Sequence, residues 1–314
     1  MDGKFYKMKK MVSVIVPMYN AEKTIFRCIS SVLENAYENF EVIVINDLST
    51  DKSLEILSSI KDKRLKLFSN RSKQSASFSR NFGIEHSTGE LIILLDSDTY
   101  VQKNWILNHV LSQELINSGI VGGGIVGVQK TIFGKADSFC SWWTSIPGGK
   151  PYYLKKLHIP TNNMSIDRQI FDKIGYLKQI LKGVGDGGED AEFCFRALKA
   201  NIKIYVDPSI IAYHYDRDNL KGFLKHQQNW GKHAVIMRKM LDMEYSFLMP
   251  DNYFMAHLYI IPLAILYTGF IVKKWLLYRP SFVLYSPLIF LGKLFQTTEI
   301  KNSFKNIEQI KKGI

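Results

Sequence analysis

Short apolar runs alternate with longer amphipathic stretches through the first hundred residues. VSVIVP (12–17), FEVIVIND (40–47), LKLFS (65–69) and LIILLD (91–96) have strand length and are rich in β-branched residues. Between them, Ala21 to Asn35, Asp51 to Ile60 and Lys73 to His86 carry helical patterns. The alternation predicts parallel strands joined by crossover helices, an α/β doubly wound, mostly parallel sheet. In such a sheet the binding crevice lies beyond the carboxyl ends of the strands. Asp47 and Asp96 end two of the runs, so both are predicted to face it.

After a helical pattern from Lys103 to Ser118 the regularity loosens. Residues 119–160 are rich in glycine and aromatics, which predicts an insertion covering the crevice. Order resumes over 161–175. KGVGDGG then leads into a predicted helix (189–201) and a strand (202–206), which closes a catalytic domain over 1–218. From Asn219 to Leu241 apolar residues are interleaved with Lys221, Lys225, Lys232, Arg238 and Lys239, the pattern of a basic amphipathic helix. That helix and a linker fill 219–250, and 251–314 forms an apolar segment with a basic tail. Residues 253–272 carry no formal charge and have about the length that crosses a bilayer core of roughly 30 Å. A second run, 281–292, is too short to cross and suits a re-entrant or interfacial segment, or one arm of a hairpin. A crossing at 253–272 would put Lys273 and Lys274 outside, against the positive-inside bias. A helix lodged in the cytoplasmic leaflet avoids that conflict, and a buried helix pair in a soluble protein is a third possibility.

Composition narrows the class. With 314 residues, 46% of them hydrophobic, the chain can bury a large core. Three scattered cysteines without a CxxC pair exclude a disulfide framework and a cysteine zinc site, and fit a reducing compartment. No apolar stretch of signal-peptide length precedes the first strand, so the catalytic domain is expected to be cytoplasmic, at the cell membrane. A net charge of +12 suits nucleic acid, anionic lipid or a phosphorylated substrate. No nucleic-acid-binding motif is visible, and the basic residues crowd beside the apolar segments of the last third, which favours a membrane surface and no nucleic acid.

The chemistry concentrates in Asp96-Ser97-Asp98. In an extended segment, side chains one residue apart leave the same face, so the two carboxylates are predicted to converge. Their repulsion would be relieved by a hard divalent cation, Mg²⁺ or Mn²⁺, held jointly with substrate phosphates. Two glycine-rich stretches, GGGIVG (122–127) and GVGDGG (183–188), fit a dinucleotide fingerprint. The first lacks a convincing following helix. The second is crowded by Asp186, Glu189 and Asp190, which would repel a pyrophosphate. A nicotinamide or flavin enzyme is excluded.

The segments 12–57, 79–101 and 187–214 occur in the order and spacing of family 2 glycosyltransferases of the GT-A fold, and residues 11 to 235 resemble that family. The resemblance implies that Pro17, Tyr19 and Asn20 lie beside the nucleotide base of a nucleotide-sugar donor and that Asp47 reads the base, typically uracil. The family's Asp-Gly-Ser run stands here as Asp47-Leu48-Ser49. Arg80 and Asn81, in SRNFG, match an element near the nucleotide and its diphosphate. Asp96 resembles the ribose or metal contact, Asp98 the metal ligand, and His214 a residue that approaches the metal. Asp190 matches the general base, with Glu189 as the second candidate. HQQNWG (226–231) resembles the Q-x-x-R-W element of processive synthases, with Gln227 and Trp230 in register and Asn229 in place of arginine, which counts against processive synthesis.

The resemblance thus implies an inverting, metal-dependent transfer to a hydroxyl of a glycan or lipid-linked acceptor at the membrane. Two other readings compete. A nucleotidyltransferase would carry a basic, glycine-rich phosphate loop after the first strand, where PMYNAEKT stands. A non-catalytic, membrane-tethered carbohydrate-binding protein would not need every acidic position of the pattern, and all are present.

Overall fold

The computed structural model describes residues 10–156, 158–179, 187–240, 250 and 252–312. Strands β1 (Val12–Met18), β2 (Phe40–Asn46), β3 (Leu65–Ser69) and β4 (Leu91–Leu94) alternate with helices α1 (Ile25–Leu33), α2 (Ser53–Ser59) and α3 (Ala76–Glu85). These are the predicted units, trimmed by a few residues at their ends. There follow β5 (Thr99–Val101), α4 (Trp105–Ile116), β6 (Ile120–Gly127), α5 (Ile132–Ser141), β7 (Tyr152–Tyr153), β8 (Met164–Asp167), α6 (Gln169–Ile174), α7 (Glu189–Lys199) and β9 (Ile204–His214). The C-terminal part is helical: α8 (Leu220–Met240), α9 (Tyr253–Leu258), α10 (Ile260–Leu276), a 3-10 segment (Pro280–Tyr285) and α11 (Ser286–Lys312).

One nine-stranded sheet runs β3-β2-β1-β4-β8-β6-β9-β5, with β7 also paired to β9. The pairs from β3 to β4 are parallel, β8 is antiparallel to β4 and β6, and β6 is parallel to β9. The alternation of side chains along each strand makes two cores. Val14, Val16, Val42 and Val44 pack on one face, while Ile15, Ile43, Ile45, Ile92 and Leu94 pack on the other. Burial on both faces is why these strands read as continuous apolar runs. Helix α3 lies close to the sheet because Gly83 has no side chain: a Cβ there would stand 2.5 Å from Ile45 and 2.6 Å from Ile15.

Three expectations are corrected. Residues 120–127 do not belong to an insertion; they form β6, inside the sheet. Their glycines are there for close packing, not for turning. A Cβ on Gly123 would come within 2.2 Å of both Asn163 and the Ile210 carbonyl, and one on Gly124 within 2.7 Å of the Pro208 carbonyl. Opposite them β9 carries an irregularity, the register stepping from Gly123↔Asp207 to Gly124↔Ile211.

The apolar run 253–272 is likewise no continuous span. It breaks between α9 and α10, because Pro262 is confined to the first turn of a helix and forces a fresh start at Ile260. Among the described residues no helix is long and apolar enough to cross a membrane. One face of α10 is buried, with Ile271 and Trp275 joining Ile125, Phe139, Phe223 and Phe282 in a third core between β6, α5 and the C-terminal helices. The run 281–292 supplies the 3-10 segment and the start of α11.

The third correction concerns the Asp96–Asp98 segment, which is a turn rather than extended strand. The Thr99 amide donates to the Asp96 carbonyl at 3.0 Å. The basic amphipathic helix exists as α8, and its apolar side is covered by α11: Phe223 meets Gly292, and Gly231 meets the Gln296 carbonyl. Residues 180–186, including Asp186 and most of GVGDGG, lie outside the described residues, as does Leu241.

Candidate active site

The crevice at the ends of β1 and β2 is built from two loops stapled together. Asn20 takes a left-handed conformation (φ 49°), tolerable for asparagine. Its Oδ1 accepts from the Thr50 amide at 2.8 Å, and its own amide donates to Ser49 Oγ at 3.0 Å. Leu48, where the family has glycine, also adopts a positive φ of 56°. The turn is therefore kept, at a steric cost of about 1–2 kcal/mol for a residue bearing a Cβ. Ser49 N–H donating to Asn46 Oδ1 at 3.0 Å helps to hold it.

Asp47 is buried at the floor. Its Oδ1 accepts from Asn70 Nδ2 and the Gln74 amide, both at 2.8 Å, and its Oδ2 pairs with Lys73 Nζ at 2.8 Å. The same ammonium lies over the ring of Tyr19, which is half exposed. Pro17 stands in β1 opposite Ile45. Lys73 and Asn70 carry no motif in sequence; only the fold brings them to Asp47. Asn81 is occupied differently: its side chain brackets the backbone of Leu177, donating to the carbonyl at 2.7 Å and accepting from the amide at 3.2 Å.

Arg80 joins distant parts of the chain. Its guanidinium, 4% exposed, donates to Asp96 Oδ1 at 2.6 Å and to Glu189 Oε1 at 2.7 Å. A fixed, always-charged fork between two carboxylates is the arrangement that arginine supplies and lysine does not. Burial pushes the Glu189 carboxyl upward; the Arg80 charge works against that, and neighbouring Asp190 adds to it. Among the described residues Glu189 Oε2 and Arg80 Nε are buried without a hydrogen-bond partner. Asp190, next on α7, is more open. Its Oδ1 accepts from the Ala191 amide, and its Oδ2 lies 3.8 Å from His158 Nε2. Gly187 and Gly188, at φ 150° and 84°, let the chain turn into α7 here.

Asp98, one turn from Asp96, faces the far edge of the sheet. Its Oδ1 is 3.3 Å from His214 Nε2, and a third of its side chain stays open. His214 Nδ1 is 3.1 Å from Asp216 Oδ1, which also accepts from Trp142 Nε1 at 2.8 Å. Burial pulls the His214 imidazole down, but carboxylates on both sides push it up to about 10, so it carries a charge and donates from both nitrogens. Burial raises the Asp98 carboxyl; the imidazolium and Arg217 outweigh that and hold it well below the usual range. Asp216 and Trp142 were invisible as site residues in sequence, since neither stands in a motif.

These residues fit a divalent cation of a particular kind. Among the described residues no three His, Cys, Asp or Glu side chains converge as a closed cage. Asp96 and Asp98 each commit one oxygen, to Arg80 and to His214, and a hard cation would have to be held through their second oxygens and complete its shell with substrate phosphates. For His214 to join them it would have to lose its proton.

Comparison with known proteins gives this geometry its class. Residues 13–175, just over half of the chain, match the family model "Glycosyl transferase family 2". The chain belongs to that family, and it is an enzyme of the glycosyltransferase class on a GT-A fold. It is 23% identical over 238 residues, 72% of this chain and 73% of the relative, to dolichyl N-acetyl-alpha-D-glucosaminyl phosphate 3-beta-D-2,3-diacetamido-2,3-dideoxy-beta-D-glucuronosyltransferase of Methanococcus voltae. It is 34% identical over 146 residues to the Escherichia coli UDP-Glc:alpha-D-GlcNAc-diphosphoundecaprenol beta-1,3-glucosyltransferase WfgD, a match of 41% of this chain and 56% of that relative's length. Among solved structures it is similar in fold to mannosyltransferase PcManGT from Pyrobaculum calidifontis in complex with GDP-Man and Mn²⁺, with a TM-score of 0.62 at 15% identity, over 93% of this chain and 87% of that one.

Proposed function

We propose that the enzyme transfers a sugar, with inversion, from a nucleotide-sugar donor to a hydroxyl of a lipid-linked glycan at a membrane surface. The observation that carries the proposal is the Arg80 fork, which draws Asp96, beside the donor floor, and Glu189, at the mouth of α7, to one guanidinium. Donor and acceptor machinery thereby share one rigid cluster.

Asp47 accepts a base N–H, and a uracil imide suits a carboxylate acceptor; Tyr19 flanks the base. Asp96 and Asp98 would hold Mn²⁺ or Mg²⁺, which when bound neutralises the charge developing on the leaving diphosphate. Asp190 takes the proton from the acceptor hydroxyl as that oxygen attacks the anomeric carbon. Its exposure leaves it able to meet an acceptor, while Glu189 is tied to Arg80 and positions the start of α7. A UDP-linked donor and a diphospholipid acceptor are also what the name of the Escherichia coli relative specifies for that protein.

The membrane part rests on the outer face of α9, α10 and the 3-10 segment. Phe254, Leu277 and Leu284 are 68%, 86% and 82% exposed, and Ile261, Ile265 and Leu266 are about half exposed. No Asp or Glu occurs between Asn252 and Thr298. A helix that is apolar all round and covered on one face only is suited to the interface of an anionic bilayer.

The test is a panel of nucleotide sugars with Mn²⁺, scored for release of nucleoside diphosphate and for transfer to a polyprenyl-diphosphate-linked sugar. Asp190→Asn is expected to fold and to lose roughly 10²–10⁴-fold in transfer. Full transfer by folded Asp190→Asn protein would reject Asp190 as the base.

A further inference from the structure

The third core leaves a cavity where β6, α5 and the end of α10 meet. Gly127 and Ile125 form its inner wall, and Gln129, Lys135, Arg279 and Tyr285 its rim. Its inner wall borders the candidate active site. Gly127 pairs with His214 across β6 and β9, and the next residue donates its amide to the His214 carbonyl at 3.0 Å. A Cβ on Gly127 would stand 2.1 Å from Asp216 Oδ2, the carboxylate that holds His214. The cavity is thus one strand away from Asp98.

Its outer rim is cationic. Among the described residues neither Lys135 nor Arg279 has an acidic partner within 4.0 Å, whereas Lys73 and Arg80 in the crevice are each paired. Lys135 lies 5.9 Å from the centre of the Tyr285 ring, across the cavity mouth. Beyond Arg279 the surface turns apolar at once, through Leu276, Leu277, Tyr278, Val283 and Leu284. Two cations with no acidic partner among the described residues, set between the candidate site and an exposed apolar face, match a ligand whose sugar, anionic group and hydrocarbon chain follow one another.

We propose that this cavity is the acceptor's anion subsite, in which Lys135 and Arg279 bind the phosphate or diphosphate of a lipid-linked acceptor while its hydrocarbon chain leaves over Leu277 and Leu284. The inference rests on the lipid-linked acceptor reading above and adds the place and the residues. Gln129 and Ser281, also on the rim, supply neutral hydrogen-bonding groups for the remaining phosphate oxygens.

The test uses the full chain saturated with UDP and Mn²⁺, so that the donor site is filled, and measures binding of geranylgeranyl diphosphate, geranylgeraniol and inorganic pyrophosphate. Geranylgeranyl diphosphate is expected to bind most tightly, and Lys135→Gln with Arg279→Gln to weaken it by roughly tenfold or more, the scale of lost charge-assisted contacts. UDP affinity, measured on the same double variant, reports that the donor site and the fold persist. Equal binding of geranylgeraniol, or a double variant that binds the diphosphate like the parent, overturns the subsite. A variant that keeps diphosphate binding and loses only sedimentation with phosphatidylglycerol vesicles also overturns it, by assigning both cations to bulk lipid headgroups. Failure of UDP to bind the parent at all would instead strike the donor reading, so the two are separable.

Discussion

Arg80 carries more than any other single side chain. Two carboxylates depend on it, Glu189 nearly buried and Asp96 more open, and its own side chain is only 4% exposed. Breaking a buried ion pair by removing one partner costs about 3–5 kcal/mol. Arg80→Met is expected to destabilise the protein by that order in urea unfolding, and Arg80→Lys, which cannot span both partners, by nearly as much. Glu41 offers a pH test away from the site. Burial raises its carboxyl, but Lys66 at 2.6 Å, the Thr88 amide, and the Ser13 and Thr88 hydroxyls bring it down to about 2 from 4.5. A depressed folded-state pKa contributes stability that is present above 4.5 and lost as pH falls through about 2. Solvent around the partly exposed Lys66 screens the pair, so the contribution at neutral pH is of order 1–2 kcal/mol. The stability gap between the parent and Glu41→Gln should therefore be widest above pH 4.5 and close towards pH 2 in acid titrations of unfolding.

At the scale of elements, what could be read from sequence depended on whether local pattern and tertiary need agreed. β1, β2 and β4 are buried on both faces, so an apolar run is their direct signature, and Asp47 and Asp96 were placed at their ends from that alone. β6 defied reading because its three consecutive glycines serve the close approach of Ile159, Asn163, Ile210 and Pro208, and glycine runs otherwise signal turns. Trp142, Lys73 and Asn70 go unseen because their partners are remote in sequence: Trp142 meets Asp216 across 74 positions, and only the fold creates that pair. Glycine also decides how α8 meets α11. A Cβ on Gly231 would lie 2.3 Å from the Gln296 carbonyl, a backbone atom that cannot rotate away. Gly231→Ala is expected to force the helices apart at about 1–3 kcal/mol, the usual cost of overpacking. The measurement is a lowered unfolding midpoint with faster proteolysis of the C-terminal helices; an unchanged midpoint would mean that α11 slides freely along α8.

At the scale of the molecule, the α/β sheet and the helical C-terminal part are joined by a continuous apolar core through Phe139, Trp275 and Phe282. Hydropathy made residues 253–272 look like a span because it registers apolar character and not the face on which it is buried. Of that run only Ala256, Leu263, Ala264 and Ile271 are buried, and most of the rest, Phe254, Ile261, Ile265 and Leu266 among them, face outward. We propose that Asp96 and Asp98 share a divalent cation with a nucleoside diphosphate at the sheet's rim. Titration calorimetry of UDP against the parent and Asp98→Asn, each with Mn²⁺ and with chelator, tests it most directly. The account predicts binding to the parent only when Mn²⁺ is present and its loss in Asp98→Asn. Equal UDP affinity in all four measurements would contradict it.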